Sequence, residues 1–372
     1  MDEAAQVPGE RQPETSDTGV RSLRSPFVRR ALVVAGIGTA LVLGLALVWA
    51  VAEVLLLIFA GILVAILLRG LSRLVSDHTP LSEGWSLALV VLALVALWAA
   101  GVVLLGAQLV AQAEQLAELA PRMMQDFQAR LEQSPLGRQL LERAGQSGQQ
   151  GASPASAAAP VASLLSTMFG GIADVVIVLF VGLYLAVKPD LYVNGLLHLL
   201  PIAKRPRASA VLQTVGYSLR RLLVGQLISM IVVGVLTTVG LLLLGVPLGL
   251  LFGVLAGILE FVPTIGPLIS AVPAVLLALT QGPSTALYVV LLYAVIQIVE
   301  GNVLTPLVLQ RAVELPPVLT IAALVMLGTL FGFLGLLLAT PLLATALVVV
   351  KMLYVQDVLG DPIEVAGEPE PD

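Results

Sequence analysis

Long apolar runs, broken at a few places by glycine, proline and isolated charges, dominate this chain. Across 31–68 the one charged side chain is Glu53, so the run predicts two membrane-crossing helices joined by a tight turn near 49–53. Residues 85–110 predict a third, with Trp85 as an interfacial anchor at its entry. The pattern then changes. Leu116, Leu119, Met123, Phe127 and Leu131 recur every three or four residues between Glu114, Glu118, Gln125, Asp126 and Arg130, an amphipathic helix bent or restarted at Pro121. Residues 146–160 (QSGQQGASPASAAAP) read as a flexible low-complexity linker, and 167–187 as a fourth span. In the basic segment that follows, Val211, Leu212, Val215, Leu219 and Leu222 trace one helical face, predicted to lie in the interface before a fifth span at 225–244. Residues 286–300 make a sixth, continuing irregularly through Gly301 and Asn302 to Pro306, and Gln310 and Arg311 mark a membrane face.

Two stretches do not fit the scheme of simple spans. Residues 248–281 would be about 51 Å long as one helix, against ~30 Å for a crossing, and two crossings with a turn would need more chain. The stretch carries Glu260 and is broken by Phe261-Val262-Pro263-Thr264-Ile265-Gly266-Pro267. It predicts two short helices meeting at the break, entering the membrane and returning to the same side. Pro263, Gly266 and Pro267 free backbone carbonyls there and let chain segments approach. Gly249, Gly253 and Gly257 share one face of the first arm, where a second helix backbone can come close. Residues 318–350 repeat the puzzle, with Gly328 and Gly332 four apart, a Phe331-Gly332-Phe333-Leu334-Gly335 break, and Pro341 beyond it. Paired Gly/Pro-interrupted apolar segments point to a transporter's binding region. The fold class is therefore an all-α integral membrane protein with two broken, re-entrant-like hairpins. Its expected organisation is a disordered N-terminal tail (1–30), three spans (31–110), an extracytoplasmic amphipathic helix and linker (111–160), a transport region (161–352) and an acidic cytoplasmic tail (353–372).

Composition excludes an ordinary soluble domain: 12% of residues are charged and 58% hydrophobic, and the mean hydropathy is +1.00. With no cysteine, disulfides, thiolate nucleophiles and thiolate metal sites are excluded. The net charge of −5 says little, because the acidic surplus sits mostly in the tails. The arginines say more. Those before the first span, after the second and after the fourth fall on one side, which the positive-inside rule makes cytoplasmic, with both termini there. The chain has no P-loop, HExxH or GxSxG signature, so no enzyme is expected, and nothing calls for a cofactor or a nucleic-acid partner. His78 and His198 lack ligand types at metal spacing, so no metal site is expected either.

Glu260 and Glu300 are the candidate functional residues, because an ionisable group within membrane segments is a functional-site hypothesis by default. Facing an aqueous cavity they would bind a cation, relay a proton or hydrogen-bond a polar substrate. At helix ends they would instead cap or pair with arginine. Gln297, Asn302 and Thr305 would complete a polar lining, or equally serve helix–helix hydrogen bonding.

The C-terminal half resembles the autoinducer-2 exporter family of bacterial inner-membrane transporters. The matching residues are Gly225-Gln226-Leu227, Gly245-Val246-Pro247, Gly257-Ile258-Leu259-Glu260-Phe261-Val262-Pro263, Gly266-Pro267 and Pro273. They continue with Tyr293, Gln297, Glu300-Gly301-Asn302, Pro306, Leu315, Pro317, Gly332, Gly335 and Pro341. The resemblance implies about eight membrane segments. It also implies a link, in some members, to export of a furanone-type quorum-sensing signal and, in others, to sodium/proton antiport. The outer loop rich in Ala, Ser and Gln departs from the family and leaves any outer-face partner in doubt. The expectation is a permease or exporter of a small polar solute, with the lipid bilayer and that solute or a cation as partners. A cation/proton antiporter and a non-transporting membrane scaffold are the alternatives, and self-association into a homo-oligomer is left open.

Overall fold

Among the described residues every regular element is helical. The computed structural model describes residues 26–133, 172–263, 265–304 and 315–368. The chain divides into two units, Met1–Leu55 and Leu56–Asp372. Helix α1 covers Pro26–Ser76. The turn expected at 49–53 is not formed, and those residues are helical. Trp49-Ala50-Val51-Ala52-Glu53 contains neither glycine nor proline, and a lone carboxylate does not interrupt a backbone ladder.

In the second unit, α2 (Glu83–Gln133) carries both the third span and the amphipathic stretch in one helix. Pro121 lies inside it without a restart. The proline lacks a single N–H donor, and Ala117, the residue whose carbonyl loses its partner, is exposed. Helix α3 (Ile172–Val187) turns by 85° into the short α4 (Pro189–His198). A 3₁₀ turn, Ile202–Lys204, then leads to α5 (Arg205–Leu243), which joins the expected interfacial helix and the fifth span into one. Its N-terminal apolar face does not lie on a membrane surface. Val211 is buried with Val348 and Met352, and Leu219 and Leu222 with Leu338 and Ala344.

The first broken stretch forms α6 (Gly249–Leu259) and α7 (Ile265–Gln281). Helix α8 (Pro283–Val299) follows and ends in a π-helical turn, Glu300–Leu304. The second stretch is α9 (Pro317–Val349), whose two arms meet at Gly332 with φ 60° and ψ −139°, then a π-helical segment, Val350–Gln356. A Cβ on Gly335 would lie 2.0 Å from the Leu327 carbonyl oxygen, eight residues earlier, so the second arm folds back against the first. Five described helices are long and apolar enough to cross a membrane, or six if the bent α3–α4 pair is one span. The expected count of about eight is reached only if the hairpin arms are included. Arms α6 and α7, at 11 and 17 residues, extend about 16 and 25 Å and each fall short of a crossing.

Helix α5 is the strut on which both hairpins are mounted. Between apolar helices in lipid the driving force is close packing rather than exclusion of water, so small residues decide where backbones meet. The glycine face of α6 packs on α5. A Cβ on Gly257 would stand 2.8 Å from the Met230 carbonyl oxygen, and one on Gly234 would stand 3.2 Å from that of Gly253. At the C-terminal end of α5, Leu241 joins Val246, Phe252, Ala274 and Leu277 in a buried cluster. The amphipathic part of α2 lays its stripe onto this cluster through Leu116, Leu119 and buried Met123. Gln112 adds a cap, its side-chain oxygen accepting the Leu251 backbone N–H in the first turn of α6 at 2.9 Å.

Two arginines anchor the polar ends. Arg69 donates to the Ala186 carbonyl at the end of α3 at 2.7 Å and pairs with Glu83 at 2.9 Å. Arg207 pairs with Asp357 at 2.9 Å and Glu368 at 2.8 Å and donates to the Met352 carbonyl at 2.9 Å. The acidic segment after α9 is thereby folded back along α5, with Val365 buried beside Val211 and Met352.

Candidate functional site

The tips of the two hairpins meet. Phe261, directly after Glu260, packs in one cluster with Phe331 and Leu334 from the break of α9, and Val262 and Ile265 pack with Leu324, Leu336 and Ala339. The first hairpin has its base at the C-terminal end of α5 and the second at the N-terminal end, beside Val211. The two breaks therefore approach each other from opposite ends of the same helix.

Local hydrogen bonds satisfy the described backbone N–H groups at the first break. The N–H groups of Phe261, Val262 and Gly266 reach the carbonyls of Ile258, Leu259 and Val262. The Glu260 carbonyl accepts the side-chain amide of Gln226, from α5. Gly266 abuts the end of the first arm, where a Cβ would lie 1.9 Å from the Leu259 carbonyl oxygen. Ser270 donates to the Pro267 carbonyl at 2.9 Å, and the Tyr293 hydroxyl of α8 donates to the Ser270 carbonyl at 3.3 Å, fastening α7 to α8.

The Glu260 side chain is wholly enclosed. Neither carboxyl oxygen meets a hydrogen-bond donor among the described residues. What faces it is the Glu300 carboxyl, within hydrogen-bonding reach. That contact is a hydrogen bond only when one of the two groups carries a proton. Glu300 in turn accepts the Gln297 side-chain amide at 2.5 Å. It opens the π-helical turn at the end of α8, a local widening common at functional positions.

Of the candidate residues, Glu260, Glu300 and Gln297 are brought together. Asn302 is exposed, and its amide donates to the Ile298 carbonyl at 3.0 Å on its own helix. Thr305, Pro306, Thr264 and the linker 146–160 lie outside the described residues. Pro263, Gly266 and Pro267 form the first break, and Gly332 and Gly335 the second, with Pro341 buried in the arm beyond it. Sequence reasoning named Gln226 only as part of a motif and passed over its role. The available signal was an amide alone in an apolar run, which must find a partner. Among the described residues no group of three or more His, Asp or Glu could hold a metal ion.

Apolar helices long enough to cross a membrane, with two broken hairpins whose tips meet beside the wholly buried carboxyl of Glu260, define a multi-pass membrane protein. The family model described as AI-2E family transporter matches residues 39–354. The chain belongs to that family. It is 34% identical over 175 residues to YrrI of Bacillus subtilis (strain 168), covering 47% of this chain and 49% of YrrI. It is 30% identical over 184 residues to PerM of Escherichia coli (strain K12), covering 49% and 52%. Against the AI-2 transport protein TqsA of Escherichia coli (strain K12) identity is 30% over 165 residues, covering 44% and 47%. The chain thus spans about half the length of the curated relatives it matches.

Proposed function

We propose that this protein is an exporter or permease for a small polar solute in the bacterial inner membrane, driven by protons that the Glu260–Glu300 pair takes up and releases. The observation that carries the reading is an enclosed carboxyl group faced by a second carboxyl and, among the described residues, by no donor. With the Glu260 side chain wholly buried, charging both facing carboxyls at once would cost several kcal/mol, so the pair holds a proton or a cation between them. Loading and unloading that ion would change the attraction between the tip of the first hairpin and the end of α8, and with it how closely they pack. The similarity to TqsA makes an autoinducer-2-like furanone the first solute to try. The same pair favours a second reading, cation/proton antiport, in which the cation alternates with the proton and no solute moves. The arginine pattern supports an orientation with both termini cytoplasmic.

Purified protein in proteoliposomes, with a pH-sensitive dye inside, tests this. Flux of the furanone should be pH-dependent in the wild type. Glu260→Gln keeps size and hydrogen bonding, and should insert normally but lose most flux or its pH dependence, while Glu260→Asp retains part. Sodium-dependent proton movement without solute would select antiport. A Gln variant that transports like the wild type at every pH around neutrality would remove Glu260 from the mechanism. Orientation is read separately from a cysteine introduced at Glu364, which an impermeant thiol reagent should reach only after the cells are permeabilised.

A further inference from the structure

Helix α4 lies where the apolar run of α3 ends and the chain turns by 85°. None of its residues is buried. Leu191, Val193 and Leu196 are exposed, and so are Leu199 and Ile202 beyond its end. Helix α3 exposes Val176, Leu179 and Phe180 in the same way, the expected condition of a lipid-facing span. A short apolar helix set nearly perpendicular to such a span has one medium that suits it, the boundary between acyl chains and headgroups.

At the bend a groove of about 560 Å³ opens, lined in part by Lys188, Asp190, Leu191, Asn194 and His198. The described ion pairs involve neither Lys188 nor Lys204. Arg205, beside them, donates to the carbonyls of Leu200 at 3.2 Å and His198 at 3.4 Å and forms no ion pair among the described residues. Three cations thus flank α4 against one carboxylate, Asp190. An excess of positive charge without a counterion among the described residues, beside an apolar groove continuous with a lipid-facing helix, matches an amphiphile with a negative head.

We propose that the groove at the α3–α4 bend binds an anionic phospholipid, with the phosphate toward Lys188, Lys204 and Arg205 and the acyl chains along the exposed face of α3. The bound lipid would hold the start of α5, the helix that carries Gln226 to the first hairpin break.

The test is native mass spectrometry of the full-length purified protein, exchanged against phosphatidylglycerol and phosphatidylcholine of identical chains. Wild-type protein should retain phosphatidylglycerol in preference, by about fivefold for each basic side chain engaged. Lys188→Gln/Lys204→Gln should lose at least fivefold of that preference, and Arg122→Gln on α2 should lose none. Asp190→Asn removes the repelling charge and should raise the preference, which decides the matter should the double variant fail to fold. The proposal is overturned by equal retention of the two lipids in the wild type. It is also overturned by a folded double variant with wild-type preference, by no gain in Asp190→Asn, or by displacement of the lipid by glycerol phosphate at equal concentration, which would assign the groove to a free phosphate ester.

Discussion

Three glycine-to-alanine substitutions should destabilise the protein in an order set by what the new methyl meets. At Gly266 it would lie 1.9 Å from the Leu259 carbonyl oxygen and 2.4 Å from its carbon. That is roughly 1.5 Å inside van der Waals contact, and both atoms are backbone at the end of the facing arm. The tip must open, and the cost should reach about 3 kcal/mol. At Gly253 the nearest atom is the Thr238 hydroxyl at 1.8 Å, with the Gly234 carbonyl oxygen at 2.8 Å behind it. The hydroxyl donates to that same carbonyl. It can rotate away only by giving up the bond, for a cost of about 1–3 kcal/mol. At Gly257 the closest approach is 2.8 Å to the Met230 carbonyl oxygen, with the Gly234 Cα at 3.2 Å, both backbone, so α6 and α5 must move apart slightly to admit the methyl. The overlap is less deep than at the other two sites, and the helix propensity of alanine, worth up to ~1 kcal/mol, offsets part of the strain. The assay is the temperature at which the detergent-solubilised protein ceases to elute as a single species. Gly266→Ala should fall furthest, then Gly253→Ala, then Gly257→Ala, and adding Thr238→Ala should restore part of the loss at Gly253 and none at Gly266. Wild-type stability in Gly266→Ala, or rescue at both positions alike, would refute the packing argument.

Gly332→Ala should lower the same melting temperature, because φ 60° with ψ −139° costs a residue with a Cβ about 1–3 kcal/mol; Gly301→Ala, with no described atom within 4 Å, is the neutral control. Arg69→Gln should destabilise far more than Glu83→Gln. Glu83 is 71% exposed in the pair and contributes under about 1 kcal/mol, whereas Arg69 also satisfies the end of α3. Arg207→Gln should speed proteolysis of the segment after Asp357, and high salt should do the same to the wild type, since both Arg207 ion pairs are partly exposed to screening.

The sequence alone determined the membrane class, the two breaks and the glycine face of α6, because each is written in local spacing. A glycine every four residues shares one helix face, and two prolines with a glycine within five residues remove two N–H donors and strongly favour a break. It misjudged where helices run on, as at 49–53 and ahead of 225, because helix continuity there depends on neighbours that periodicity does not show. The partners were decided only in three dimensions. Gly234 carries no repeat that marks it, yet it receives Gly253 and Gly257. Gln226 and Glu260 are 34 positions apart, and their hydrogen bond exists because the first hairpin folds back along α5. Glu260 was recognisable as a carboxylate out of place in an apolar run. That Glu300 is what it meets follows from α8 descending beside the hairpin, a long-range packing result that no local pattern encodes.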